Sequence, residues 1–106
     1  MTTPRLLQLE EMLKDEPMDS FLNYALAHEY ANTGNIHKAI ELIETVIKHD
    51  QNYLGAYYQL GKYYEATERL QDAISIYKKG ITIAQQQNNK KTLGELNEAL
   101  LMLDEE

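Results

Sequence analysis

The sequence contains no cysteine, and only two of its 106 residues are proline. Without cysteine there is no disulfide framework, no thiolate nucleophile and no cysteine-ligated metal site. No window approaches the roughly 18 consecutive apolar residues of a membrane span. The first residues also lack the apolar run of a signal peptide. We therefore expect a cytoplasmic protein with no membrane partner.

Positive charge is also scarce, because 17 acidic residues outnumber 10 basic ones and give a formal net charge of −7. This balance opposes binding to phosphate backbones, so we expect no nucleic-acid partner. The composition instead favours solubility and, at most, basic partners. A chain of this length corresponds to one small domain.

The apolar residues follow the helical period nearly throughout, as in "AIELIETVI" and "LQDAISIYKKGI". No alternating stretch predicts a strand. Shifting the chain against itself by 34 residues aligns many positions and reveals an internal repeat. The matched pairs are Tyr24 and Tyr58, Leu26 and Leu60, Tyr30 and Tyr64, Thr33 and Thr67, Ala39 and Ala73, Ile40 and Ile74, and Ile47 and Ile81.

This spacing of large, small and aromatic residues resembles the tetratricopeptide repeat. The first unit departs from the family pattern at Asn23, Ile43 and Gln51, and Gln85 replaces the final proline of the second unit. The resemblance implies an all-α fold, a right-handed superhelix of antiparallel helix pairs with about six helices. The positions of the second unit that match are Tyr57, Leu60, Gly61, Tyr64, Ala73, Tyr77 and Gly80.

The repeat register predicts one domain over residues 1–106 and divides it into four segments. Thr3 is predicted to cap the first helix, and Gly34 with Asn35 to form the turn of the first repeat. Glu68 takes the place of Gly34 in the second repeat, so we expect either mild strain or a different turn there. The segments are a leading half-repeat helix at 4–15, repeats at 20–52 and 53–87, and a capping helix at 90–103.

Gly61 lies inside a predicted helix, where glycine costs roughly 0.5–1 kcal/mol relative to alanine. We expect it to allow close approach of the second helix of its own pair, where it would meet Ala73 and Gly80. Tyr57 and Tyr64 would fill the gaps around that contact.

The resemblance implies a non-catalytic interaction module, an adaptor or scaffold that binds a peptide or partner segment in a concave groove. In this family the first helix of each pair lines that groove. Tyr24 and Tyr58 are either aromatic anchors for a partner or simply pack against neighbouring helices. The groove residues implied by register are Phe21, Tyr24, His28, Tyr58, Gln59, Lys62, Glu65 and Lys91, with Ala31, Glu95 and Glu98 beside them.

Chaperone-tail-binding members of the family hold a terminal carboxylate with Lys, Asn and Arg side chains. The corresponding residues here are Tyr24, His28, Gln59, Lys91 and Glu95, of which only Lys91 fits. Since Glu95 would repel a carboxylate, we expect no such clamp.

No residue pattern indicates catalysis, a cofactor or a metal site. An enzyme that uses His28 in the groove is a remote alternative, which would require a buried carboxylate within hydrogen-bond reach. The runner-up is a homodimer through the last helix, which would follow if one stripe of the run "ALLML" covers the preceding helix pair and leaves Leu101 or Met102 facing outward. The alternative is that this helix lies in a groove and buries both sides.

Overall fold

The computed structural model describes residues 2–104 of the protein and contains six α-helices and no strand within that range. The expected all-α, tetratricopeptide-like class with about six helices is confirmed. Residues 1, 105 and 106 of the expected domain lie outside the described residues. The helices are α1 (Pro4–Asp15), α2 (Ser20–Asn32), α3 (Ile36–His49), α4 (Gly55–Ala66), α5 (Leu70–Gln86) and α6 (Lys90–Asp104).

The chain divides into two compact units, with the boundary between Gln51 and Asn52. Unit 1 contains α1, α2 and α3, and unit 2 contains α4, α5 and α6. Within unit 1, α2 packs against both α1 and α3. Within unit 2, α5 packs against both α4 and α6. The assignment of a half-repeat, two repeats and a cap to these helices stays a prediction.

Side-chain caps fix the starts of several helices. The Thr3 hydroxyl accepts a hydrogen bond from the Leu6 N–H at 3.0 Å, as the sequence predicts. Asn35 Oδ1 likewise accepts from the Lys38 N–H at 3.3 Å, at the start of α3. Such caps satisfy backbone donors that have no partner within the helix.

Three of the interhelical turns share one conformation. In each, a backbone N–H bonds the carbonyl five residues earlier, and the residue before the donor is left-handed, which is the Schellman arrangement. The left-handed residues are Gly34, Glu68 and Asn88, with φ of 91°, 60° and 55°. Of the two expectations for Glu68, strain in an unchanged turn is the one observed. The bonds run from Asn35 to Tyr30 at 2.8 Å, from Arg69 to Tyr64 at 2.8 Å and from Asn89 to Ala84 at 2.9 Å.

The core of unit 1 is aliphatic and joins α1 to α2. The buried polar side chain of Asn23 replaces the large residue of the family pattern. Its amide donates to the carbonyls of Pro17 at 3.1 Å and Asp19 at 2.9 Å. Asn23 therefore anchors the connection between α1 and α2 instead of filling the core. The buried residues of the cluster that joins α1 and α2 are Leu6, Leu9, Leu22, Ala25 and Leu26.

The core of unit 2 contains close contacts between glycines and large side chains. A Cβ added to Gly61 would overlap the ring of Tyr77, so this ring lies directly against Gly61. A Cβ on Gly80 would lie 2.7 Å from Cβ of Tyr57 and 3.1 Å from Cδ1 of Leu96. Each glycine therefore accommodates a large side chain of a neighbouring helix. The expected contact of Gly61 with Ala73 and Gly80 stays a prediction.

Candidate functional site

A depression of about 230 Å³ lies between α4 and α6 of unit 2. Tyr58 and Lys62 are four residues apart and therefore share one face of α4. The α6 residues recur at intervals of three and four, so they also form one face. The two faces line the depression with Tyr58, Lys62, Glu95, Glu98, Ala99 and Met102.

The α4 wall of the depression is held by a small network. Lys62 Nζ lies 5.4 Å from the centroid of the Tyr58 ring and 3.9 Å from Glu65 Oε2. The Tyr77 hydroxyl donates a hydrogen bond to Glu65. Burial of Tyr77 raises its pKa, and the bond to Glu65 and the charge of that carboxylate raise it further. Tyr77 is therefore a neutral donor that helps to fix the position of Glu65.

The structure brings together only some of the site residues predicted in this unit. Tyr58 and Lys62 line the depression. Glu65 contacts Lys62 at its edge. Gln59 is half-buried on α4 and Lys91 is exposed in the first turn of α6, and neither side chain lines the depression.

On α6, Glu95 and Glu98 line the depression together with Ala99 and Met102. Sequence reasoning did not place Ala99 or Met102 in a groove. The available signal was their helical spacing, because they lie four and seven residues beyond Glu95 and so fall on its face.

Unit 1 presents a second aromatic face, formed by the three residues predicted on α2. Phe21 is 61% exposed. The rings of Tyr24 and His28 are half-buried and meet edge to face, with centroids 5.0 Å apart. Burial raises the pKa of the Tyr24 hydroxyl. The spacing of three and seven residues places all three side chains on one side of α2.

Other kinds of site receive no support from the described part of the chain. Residues 2–104 contain no group of three or more His, Asp or Glu side chains suited to a metal ion. Over the same residues, no helix combines the length and apolar character needed to cross a membrane.

Comparison with known proteins gives consistent results. Residues 4–80 match the family described as anaphase-promoting complex, cyclosome, subunit 3. A tetratricopeptide repeat domain protein from Salinibacter ruber is 41% identical, with a TM-score of 0.77, and the match covers 81% of this chain and 96% of that one. A search of curated proteins gives no significant match.

Two solved complexes share the fold at lower identity. The TPR2B domain of yeast Sti1, in a complex with pHsp70, is 20% identical with a TM-score of 0.87, covering 94% of this chain and 80% of that chain. The first TPR of Spaghetti (RPAP3), bound to the HSP90 peptide SRMEEVD, is 18% identical with a TM-score of 0.74, covering 93% and 77%.

Four observations point to the same family. They are the repeat register, the paired helices with the same turn between them, the family match over most of the sequence and the 41% identical domain. The chain belongs to the tetratricopeptide repeat family.

Proposed function

We propose that this protein is a non-catalytic protein-interaction module, an adaptor or scaffold that binds a peptide or a segment of a partner protein. The binding faces are those of α4 and α6 in unit 2 and of α2 in unit 1. Two observations support this proposal. The chain belongs to a repeat family, and two relatives of the same fold were solved with pHsp70 and with an HSP90 peptide.

The depression between α4 and α6 is the observation that carries the proposal. Tyr58 offers both an aromatic surface and a hydroxyl, a combination that is common at interfaces. Met102 is 63% exposed beside it, and its flexible thioether adapts to partners of different shape. The charged groups of Lys62, Glu95 and Glu98 would orient a bound partner in the depression.

Peptides selected from a random phage-displayed library would test the proposal. Their affinity is measured by fluorescence anisotropy for the wild type and for Tyr58→Ala/Met102→Ala. We expect the double variant to lose at least about tenfold, as truncation of central aromatic anchors does in other interfaces. The matched control is Leu7→Ala/Met12→Ala, which truncates two exposed apolar side chains of α1. Selected peptides that bind the wild type and both variants equally would refute the assignment of this face.

Catalysis forms no part of the proposed function. His28, which the sequence offered as a remote catalytic candidate, contacts the edge of the Tyr24 ring on an aromatic surface of α2.

A second candidate function is self-association through α6. Leu101 and Met102 are adjacent in sequence and are 59% and 63% exposed. Exposed apolar side chains of this size often mark an interface. In the simplest form, two copies would pair α6 against α6 about a twofold axis. Light scattering over a range of concentrations tests this, because a constant monomer mass would exclude it.

A further inference from the structure

The depression between α4 and α6 carries more negative than positive charge. Its lining contains two carboxylates, those of Glu95 and Glu98, and one cation, Lys62. The ion-pair partner of Lys62 is acidic as well, because Glu65 Oε2 lies 3.9 Å from Lys62 Nζ. When this partner is included, three acidic groups face one basic group, so the depression keeps an excess of negative charge.

The two glutamates of the depression have no cationic partner in the described part of the chain. Neither Glu95 nor Glu98 forms an ion pair there. Lys91 lies one turn before Glu95 on α6, but its side chain does not line the depression. Lys62 pairs instead with Glu65 of its own helix. Both carboxylates are therefore available to a cation that a partner supplies.

The same depression has an apolar part beside the two carboxylates. Met102 lies one turn after Glu98 on the face of α6 that lines the depression, and its side chain is exposed. Tyr58 lines the depression from α4 with a half-buried ring. A long basic side chain suits this combination, because its aliphatic stem packs on apolar surface while its charged head stays among polar groups and water.

Arginine suits the depression better than lysine does. Glu95 and Glu98 are three residues apart, so their side chains are neighbours on the surface of α6. A guanidinium group presents five N–H donors in a planar fork, so a single arginine can donate to two neighbouring carboxylates. It is also more weakly hydrated than an ammonium group, which lowers the cost of moving it from water to a protein surface.

We propose that the occupant of the depression is a basic segment of a partner protein, in which an arginine pairs with Glu95 and Glu98. An apolar residue next to this arginine contacts Met102 and Tyr58. The inference rests on the proposed function, because it names the partner chemistry of the same depression. The net charge of −7 favours the approach of such a segment and opposes that of an acidic one.

The test starts from peptides that the wild type selects from the random phage-displayed library and that Tyr58→Ala/Met102→Ala does not bind. These peptides occupy the depression, and we expect arginine to be enriched in them relative to the unselected library. The tightest of them is synthesised in two forms. One form keeps its arginine, and the other has citrulline there, which has nearly the same shape but no charge.

Fluorescence anisotropy measures both peptides against the wild type and against Glu95→Gln/Glu98→Gln. We expect this variant to bind the arginine peptide at least about fivefold more weakly than the wild type does, because two charge pairs are lost. Its affinity for the citrulline peptide should equal that of the wild type. The control Glu41→Gln/Glu44→Gln removes two exposed carboxylates at the same spacing on α3 and should change neither affinity.

Two further measurements accompany these affinities. Thermal melting by circular dichroism checks that each variant is folded, which we expect because glutamine and glutamate have similar helix propensities. On the wild type alone, raising the salt concentration from about 0.05 to about 0.5 M should weaken binding of the arginine peptide more than that of the citrulline peptide, since salt screens charge pairs.

Three results would overturn this inference and leave the proposed function intact. The first is a set of selected peptides without enriched arginine. The second is an arginine peptide that binds Glu95→Gln/Glu98→Gln as tightly as the wild type. The third is an equal loss for the arginine and citrulline peptides, which would mean that the glutamates act only on the structure of α6. A library that yields no peptide dependent on Tyr58 and Met102 would instead overturn both proposals.

Discussion

At the scale of single residues, Gly61 shows why a close contact between two helices requires glycine, which has no side chain. The Tyr77 ring occupies the space that a Cβ would need, and Tyr77 is itself fully buried. The ring is also held at its hydroxyl by Glu65, so it has little freedom to move aside. The favourable packing of the ring must therefore offset the helix-weakening effect of glycine.

We predict that Gly61→Ala lowers the free energy of unfolding by about 1–3 kcal/mol, the usual cost of overpacking a core. The control is Gly94→Ala in α6, where an added Cβ would meet nothing within 4 Å. There alanine should stabilise by up to about 1 kcal/mol, because it reduces the entropy of the unfolded chain. Urea denaturation measures both. Equal stability of the two variants would contradict the packing role of Gly61.

Glu68 differs from Gly61, because it has a side chain at a turn position that favours glycine. Its φ of 60° is the left-handed conformation that Gly34 adopts in the equivalent turn. We predict that Glu68→Gly stabilises the protein by about 0.5–1 kcal/mol, the left-handed penalty of about 1–2 kcal/mol less the entropic cost of glycine. Glu68→Ala removes the same charge but keeps the strain, so it should give no gain. A gain of the same size in both variants would assign the effect to charge.

At the scale of elements, α1 is attached to α2 by polar contacts as well as by the leucine core. The Tyr30 hydroxyl donates to Glu10, and Arg5 Nε lies 3.7 Å from Glu29 Oε1. The Arg5–Glu29 pair includes an exposed arginine and contributes little. The Tyr30–Glu10 bond is shorter and partly buried, so we expect it to dominate this polar attachment.

This bond predicts a specific pH dependence. Hydrogen bonding to Glu10 is the main cause that raises the pKa of Tyr30 from 10.0 to about 12, with burial next. Because the folded-state pKa is the higher one, the stabilisation is fully present below pH 10. It is lost as the pH rises from 10 to about 12. Denaturation across this range should show a steeper loss of stability for the wild type than for Tyr30→Phe. Parallel curves would mean that the phenol titrates normally in the folded state.

Sequence patterns and structure agree best on the helices and their turns. Apolar spacing predicts helices wherever one face is buried. For the second turn the sequence left two outcomes open, and the structure shows the same turn as the first, with Glu68 in the left-handed conformation. The glycine contacts were not predictable in the same way. Gly61 faces Tyr77 and Gly80 faces Tyr57 and Leu96. These partners depend on the rotation of each helix about its own axis, which register alone does not fix.

At the scale of the whole molecule, the excess of acidic residues bears on which partners can bind. Glu95 and Glu98 line the depression between α4 and α6, while Lys62, its one lining cation, already interacts with Tyr58 and Glu65. A peptide rich in carboxylates would therefore meet repulsion in this depression, reinforced by the net charge of −7.

We accordingly predict that the HSP90 peptide SRMEEVD, which the Spaghetti (RPAP3) domain binds, does not bind this protein with a Kd below about 100 μM, since like charges at an interface cost affinity. Isothermal titration calorimetry provides the measurement, with the Spaghetti domain as the positive control. Micromolar binding would show that a carboxylate-holding arrangement exists despite Glu95 and Glu98.

The sequence by itself determined the helical class, the 34-residue internal similarity and the capped helix starts, and it identified Glu68 as a residue where glycine would suit the turn better. These features follow from local periodicity and backbone preference, which act over a few residues of chain. Only the tertiary structure decided which side chains share a surface. In the folded chain, Ala99 and Met102 line the depression between α4 and α6 together with Tyr58, whereas Gln59 and Lys91 do not line it. A further pocket lies among α1, α2 and α3. Such groupings depend on how helices that are distant in sequence pack and rotate, because a surface is set by neighbours in space.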